Sequence, residues 1–158
     1  MGNQTTDRSE TAGPQLSNDV HFLATRAGAL GAAQANRDLA AVQLRVRSFS
    51  VLSIVCTASP QTQKEIAGVL LLDPSQVVTL LDDLESRALL RRIPDPDDRR
   101  ARLVTATPAG QELYARAQAI VDESNRHALR YFDDDEVATL RALLQRLALG
   151  APLDRATP

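Results

Sequence analysis

The stretch LLLDPSQVVTLLDDLESRALLRRIPDPDDRRARLVTATPAG, residues 70–110, decides the fold. Asp73-Pro74 marks a helix start, an acid at the N-cap followed by a proline whose missing N–H costs nothing in the first turn. The helix it opens, to about Arg87, places Val77, Leu81, Leu84 and Ala88 on one face and Ser75, Thr79, Asp82 and Ser86 on the opposite one. Just upstream, Thr62 followed three residues later by Glu65 is a capping box opening a short helix through Ile66, Ala67 and Leu70. Two short helices joined by a tight turn make a helix-turn-helix. Downstream, Leu89 to Ile93 and Ala101 to Ala106 have extended character, and Pro94-Asp95-Pro96-Asp97-Asp98 reads as a turn or loop. The result is a β-hairpin with Arg99 and Arg100 near its tip.

Working outward, Leu16 to about Ala41 is Ala-rich with a helical rhythm in Val20, Leu23, Ala27, Leu30 and Ala33, with Ser17 or Asn18 as candidate N-cap. A second helix is expected from Val42 to Thr57, turning Phe49, Leu52, Ile54, Val55 and Cys56 inward, and Pro60 ends that region. On the other side, Thr107-Pro108 restarts helix to about Tyr131. Asp133 to Glu136 stacks acids at the start of a last helix, where they complement its dipole. Val137, Leu140, Leu144 and Leu147 form its stripe, and Gly150 with Pro152 terminates it. In a terminal helix of so short a chain, that stripe has little to bury against except another subunit. Residues 1–15 are polar and aperiodic, read as a disordered arm, and residues 150–158 form a tail.

Composition narrows the class. Of 158 residues, 44% are hydrophobic but only 3% aromatic, so Ala and Leu supply the apolar material and favour helix over a sandwich or barrel. Cys56 is the only cysteine, which excludes an intramolecular disulfide framework and a cysteine-built zinc site. His21 and His127 are far apart in sequence, so no metal site is expected. No stretch of about 18 apolar residues suits a membrane span, and the polar start carries no signal-peptide core, so a soluble, cytoplasmic protein is expected. A nucleophile–base pair, a Gly-rich phosphate loop and metal-ligand spacing are all absent from the sequence, which argues against an enzyme and against a cofactor.

A helix-turn-helix followed at once by an arginine-tipped hairpin suits duplex DNA. The second helix fits the major groove, and the hairpin tip reaches a neighbouring minor groove whose negative potential favours an inserted arginine. The formal net charge of -2 seems to oppose this, yet binding depends on where charge sits. Residues 1–43, 44–104 and 105–158 carry -1, +1 and -2, and from Arg87 to Arg102 six arginines face three acids. The arginine excess lies where the hairpin is.

The block Leu70 to Gly110 resembles the MarR family of winged-helix transcription regulators. Asp95-Pro96-Asp97-Asp98-Arg99-Arg100 is similar to the family's wing signature, and Thr107-Pro108-Ala109-Gly110 to its entry into the next helix. The resemblance spans residues 16–149 and implies a mainly α fold with a small β-wing, a DNA-binding core at 42–107, and N- and C-terminal dimerisation helices at 16–41 and 108–149. It implies a homodimer facing a pseudo-palindromic double-stranded operator, a repressor's role, and release by a small-molecule effector, often aromatic or phenolic, bound between the dimerisation and DNA-binding regions. The identity of the effector and its pocket residues are not implied. Carried over residue by residue, Pro74, Ser75, Gln76 and Thr79 meet the major groove, and Thr62 and Gln63 begin a helix whose N-terminus suits a phosphate. Arg99 and Arg100 belong to the wing tip, and Asp98 is the acid that shapes the wing by orienting an arginine. Arg91-Arg92 alone reads as solvated surface. Ala88 and Leu71 stand where the family often has Gly, and an alanine forced to positive φ costs on the order of 1 kcal/mol. Leu80 and Asp83 fall where basic residues are common. Leu80, Asp83 and the acidic total suggest an alternative, a winged-helix protein-interaction module without DNA binding. A cysteine-based redox response through Cys56 is another.

Overall fold

In the computed structural model, residues 15–98 and 100–150 are described. Six helices, α1 (Val20–Leu39), α2 (Val46–Thr57), α3 (Gln63–Leu70), α4 (Pro74–Ser86), α5 (Pro108–Ala128) and α6 (Asp134–Leu149), surround three short strands, β1 (Gln61–Thr62), β2 (Leu90–Pro94) and β3 (Arg102–Ala106). The expected mainly α fold with a small β-wing is the one observed. The N-terminal arm lies outside the described residues except Gln15, the C-terminal tail except Gly150, and Arg99 lies outside them too.

Three chain reversals set the layout, and they share one device. Gln43, Leu71 and Ala88 have φ of 55°, 51° and 55°, in the left-handed region where a side chain is strained. At each, a longer and a shorter backbone hydrogen bond close a Schellman motif: Leu44 N–H to Leu39 O at 3.1 Å with Gln43 N–H to Ala40 O at 3.0 Å, Leu72 N–H to Ala67 O at 3.1 Å with Leu71 N–H to Gly68 O at 3.4 Å, and Leu89 N–H to Leu84 O at 3.0 Å with Ala88 N–H to Glu85 O at 2.8 Å. The residue after each strained one is a leucine: Leu44 and Leu89 are buried in the core and Leu72 packs half-buried against it. Burying a leucine is worth about 1.5–3 kcal/mol, more than the strain of one left-handed residue costs.

The Gln43 reversal moves the start of α2. Sequence reading runs that helix from Val42, but the chain turns at Gln43 and α2 begins at Val46, whose N–H donates to the Asn36 side chain on α1 at 2.9 Å. The first helix is likewise shorter than expected: Leu16–Asn18 form a single 3-10 turn, and the N-cap of α1 is Asp19 instead of Ser17 or Asn18, its carboxylate accepting from Phe22 N at 2.7 Å. Helix α5 stops at Ala128, short of Tyr131.

The sheet is antiparallel in the order β1-β3-β2. The hairpin register runs from Leu90 opposite Ala106 to Pro94 opposite Arg102. Pro94, expected in the turn, therefore ends a strand, tolerated because β2 is an edge strand and the proline sits at its last position. Strand β1, which residues 61–62 do not announce, pairs with Leu103 and Val104. Val77, Leu81 and Leu84 of α4 are fully buried against Val51 and Leu52 of α2, Ile66 of α3 and Val104 of β3. Phe49 of α2 stacks on Tyr114 of α5 with ring centroids 6.0 Å apart.

Outside this core, apolar side chains stay open. Val20, Leu23 and Leu30 of α1, and Leu143, Leu144, Leu147 and Leu149 of α6, are exposed, and α6 buries no residue. Among the described residues no single helix is long and apolar enough to cross a membrane.

Glycine removes the left-handed strain without removing a core contact at Leu71 (91% exposed) and at Ala88, which is also exposed. Leu71→Gly and Ala88→Gly are each expected to raise stability by roughly 0.5–1 kcal/mol, measured as an upward shift of the thermal midpoint. An unchanged or lower midpoint for both would contradict the strain argument.

Candidate nucleic-acid interface

Helix α4 presents its polar N-terminal half outward because the apolar residues at Val77, Leu81 and Leu84 fix the opposite face in the core. Pro74, Ser75, Gln76 and Thr79 are all exposed there, on one helix end. Thr79 Oγ1 donates to Ser75 O at 3.2 Å, a bond within the helix that leaves the hydroxyl oxygen able to accept from a ligand. Asp73 occupies the N-cap position, but its side chain makes no capping bond, and Gln76 N–H reaches only its backbone oxygen, at 3.0 Å.

Thr62 and Gln63 start α3 as expected, and both halves of the capping box form. The Glu65 carboxylate accepts from Thr62 N at 2.7 Å and from Thr62 Oγ1 at 2.8 Å. The two Thr62 bonds hold the Glu65 carboxyl below its usual range, so at neutral pH a negative charge already sits at this helix start. An internal anion thus occupies the place read as suited to a phosphate.

The wing is built from aspartates. Asp97 N–H donates to Asp95 Oδ1 at 2.9 Å, Arg100 N–H to Asp98 Oδ1 at 2.9 Å, and Ala101 N–H to Asp98 O at 3.0 Å. Asp98 holds the turn through the Arg100 backbone amide, and among the described residues no guanidinium bonds to its carboxylate. Arg100 is exposed beside it. Exposed Arg91 and Arg102 lie on the strands that lead to and from this turn.

Arg92 departs from the sequence reading of solvated surface. Its side chain is 23% exposed and bridges α4: Nη2 pairs with Asp82 at 2.6 Å, Nη1 with Glu85, and the backbone N–H donates to Glu85 Oε1 at 3.0 Å. Burial disfavours its charge, but the bonds and charges of Asp82 and Glu85 outweigh that and raise its basicity. A second bridge joins Arg87 to Asp83 at 3.5 Å, and Arg87 Nη1 also donates to Gln43 O at 3.0 Å across the fold. The signal that sequence reading passed over is that Asp82 and Glu85, three apart on a helix, share a face.

Two clefts flank α1. One, of about 500 Å³, lies between α1 and α5 and includes Gln34, Asp38, Ile120, Ser124 and His127. The other, of about 420 Å³, lies at the α1–α2 corner and includes Asn36, Arg37, Gln43 and Arg45. His21 is exposed on α1 and lines neither. Cys56 lies half-buried near the end of α2, where burial pushes its thiol up to about 11. Among the described residues no group of three or more His, Cys, Asp or Glu is placed to hold a metal ion.

The arrangement has counterparts. The family model described as MarR family matches residues 44–101. A MarR-family transcriptional regulator from Rhodococcus sp. RHA1 superposes with a TM-score of 0.82 and 38% identity, covering 88% of this chain and 99% of that one. CouR from Rhodococcus jostii RHA1, solved bound to p-coumaroyl-CoA, gives a TM-score of 0.77 and 34% identity over 92% of this chain and 100% of that one. CouR, a transcriptional repressor, has also been solved on a 23-mer DNA duplex. The multiple antibiotic resistance protein MarR of Escherichia coli is 29% identical over 113 residues, 71% of this chain and 78% of that protein. With the helix-turn-helix inside the matched segment and a MarR-family regulator 38% identical over 88% of this chain and 99% of that one, the chain belongs to the MarR family of transcription regulators.

Proposed function

We propose that the protein is a homodimeric repressor that binds a pseudo-palindromic double-stranded operator and is released from it by a small aromatic ligand. The observation that carries the reading is the exposed polar end of α4 set beside an aspartate-ordered wing bearing arginines. Pro74, Ser75, Gln76 and Thr79 face the major groove, where Gln pairs with adenine in a bidentate way. Arg99 and Arg100 reach the minor groove and phosphates from the wing, and Asp98 holds that turn. Gln63 offers its side chain to the backbone at the start of α3, whereas the Thr62 hydroxyl is engaged with Glu65. CouR, solved both on DNA and with p-coumaroyl-CoA, supports the pairing of operator and ligand.

The α1–α2 cleft is the place we assign to the ligand. Arg37 and Arg45 there suit an anionic group, and the Arg87 bond to Gln43 O ties the end of the recognition helix to the same corner. A ligand that shifts Gln43 shifts α4, so differential affinity for the two attitudes of α4 becomes a change in DNA affinity. The open leucines of α6 and the open face of α1 are covered by a second copy, which places two recognition helices on half-sites about 34 Å apart.

Two other readings have less support. A protein-interaction module was suggested by the acidic total, Leu80 and Asp83, yet Asp83 is ion-paired with Arg87. A redox switch needs a thiolate, and a thiol raised to about 11 by burial is protonated at neutral pH.

Mobility shift with the duplex flanking its own gene tests the main reading. The parent is expected to bind, Arg99→Ala and Arg100→Ala to weaken binding to every sequence about tenfold, Gln76→Ala to alter base preference, and p-coumaroyl-CoA to release the DNA. No shift with any flanking fragment would refute operator binding. Leu144→Asp with Leu147→Asp should convert a dimer to a monomer in sedimentation, and a dimer retained by that variant would move the interface elsewhere. For Cys56, alkylation should stay slow at pH 8 and quicken about tenfold per pH unit towards 11, and peroxide should leave DNA binding of the parent and of Cys56→Ser alike. Loss in the parent alone would restore the redox reading.

A further inference from the structure

Helix α4 holds no lysine or arginine between Pro74 and Ser86 but carries Asp82, Asp83 and Glu85. For an element that approaches a polyanion, three carboxylates are a liability. The structure answers each with an arginine from beyond the helix: Arg87 at its C-cap pairs with Asp83, and Arg92 on β2 pairs with both Asp82 and Glu85. We propose that Arg92 is a positioning residue for DNA binding that acts by masking the Asp82 and Glu85 charges, and that it is not itself a DNA contact. The proposal rests on the operator-binding reading.

Four features favour masking over a surface ion pair of no consequence. The guanidinium uses two different nitrogens on two carboxylates, and its own backbone N–H adds a third bond to Glu85, so the geometry is fixed from both chain and side chain. Arg92 is the least exposed of the three side chains, at 23% against 59% for Asp82 and 37% for Glu85. Asp82 continues the polar face that begins with Ser75 and Thr79, so its charge, unmasked, stands on the side that meets phosphate. Arg91, the neighbouring residue on the same strand, is exposed and makes no such bridge.

Masking and simple bracing of the wing make opposite forecasts once the acids are neutralised. The test measures affinity for the duplex flanking its own gene with the parent, R92Q, the double variant D82N/E85Q, and the triple variant. With masking, R92Q binds about tenfold more weakly because two carboxylates face the DNA unpaired. D82N/E85Q binds as tightly as the parent or tighter. The triple variant, which lacks the ion pairs as fully as R92Q does, returns to within about threefold of the parent. If bracing were the role, the triple variant would stay as weak as R92Q, and D82N/E85Q would weaken too; either result overturns the proposal. R92Q binding like the parent also overturns it, while leaving operator binding standing. A parent that fails to shift any fragment removes both. Should R92Q fail to fold by circular dichroism, D82N/E85Q still decides, since weakened binding there is incompatible with masking.

Discussion

The fold turns on one joint, where the end of the recognition helix meets the start of α5. Thr107 uses its backbone and side chain there: its N–H donates to Leu89 O at 3.1 Å, its hydroxyl donates to Ala88 O at 2.7 Å, and the same oxygen accepts from Gly110 N–H at 3.0 Å. One residue thus satisfies two carbonyls just beyond α4, one through its backbone N–H and one through its hydroxyl, together with an amide at the start of α5. Gly110 is what allows the approach, because a Cβ at that position would lie 1.9 Å from Leu89 O. Leu90 opposite Ala106 begins the hairpin in the same few residues. The end of α4, the hairpin and the start of α5 are thus tied together within a few residues.

The strained residues at Gln43, Leu71 and Ala88 follow the same logic at lower cost. A glycine at each would fit the backbone better. The sequence instead places the investment in the following leucine, whose burial outweighs the strain and fixes the direction in which the chain leaves each helix. Direction is what the interface needs, since the exit from Ala88 aims β2 and with it the wing. At the Gln43 reversal, Arg87 adds a bond from the far end of α4. The two reversals are therefore linked through the recognition helix itself.

Much of this was readable from residue types. Asp73-Pro74, the Thr62 and Glu65 capping box, Thr107-Pro108 and the Asp-rich turn each have a local physical reason, and the elements appear where those reasons put them. What was not readable depended on contacts distant in sequence or on conformation without its usual marker. Gln43 carries no sign of a left-handed turn, so α2 was expected four residues early. Strand β1 spans two residues and exists only because Leu103 and Val104 lie beside it. Asp19 caps α1 in place of Ser17 or Asn18 because all three residue types can cap a helix and only the geometry selects one. Arg92 looked like surface because its partners are seven and ten residues back.

Electrostatics then explains how a chain of net charge -2 can offer a surface to a polyanion. The start of α3, a natural anion site, is filled by Glu65, and the acids of α4 are covered by Arg87 and Arg92. Two sources of attraction and repulsion that the sequence suggests are thereby cancelled internally. The wing stays uncovered, with exposed Arg91, Arg100 and Arg102 around the aspartate-built turn. Asp95 and Asp98 each accept a backbone amide of that turn, so part of their charge is answered locally while the arginine side chains project. On the proposed operator binding, the wing arginines supply attraction to phosphate and the N-terminal end of α4 supplies neutral hydrogen-bonding groups, so that charge would set how tightly DNA is held and Ser75, Gln76 and Thr79 which sequence is preferred.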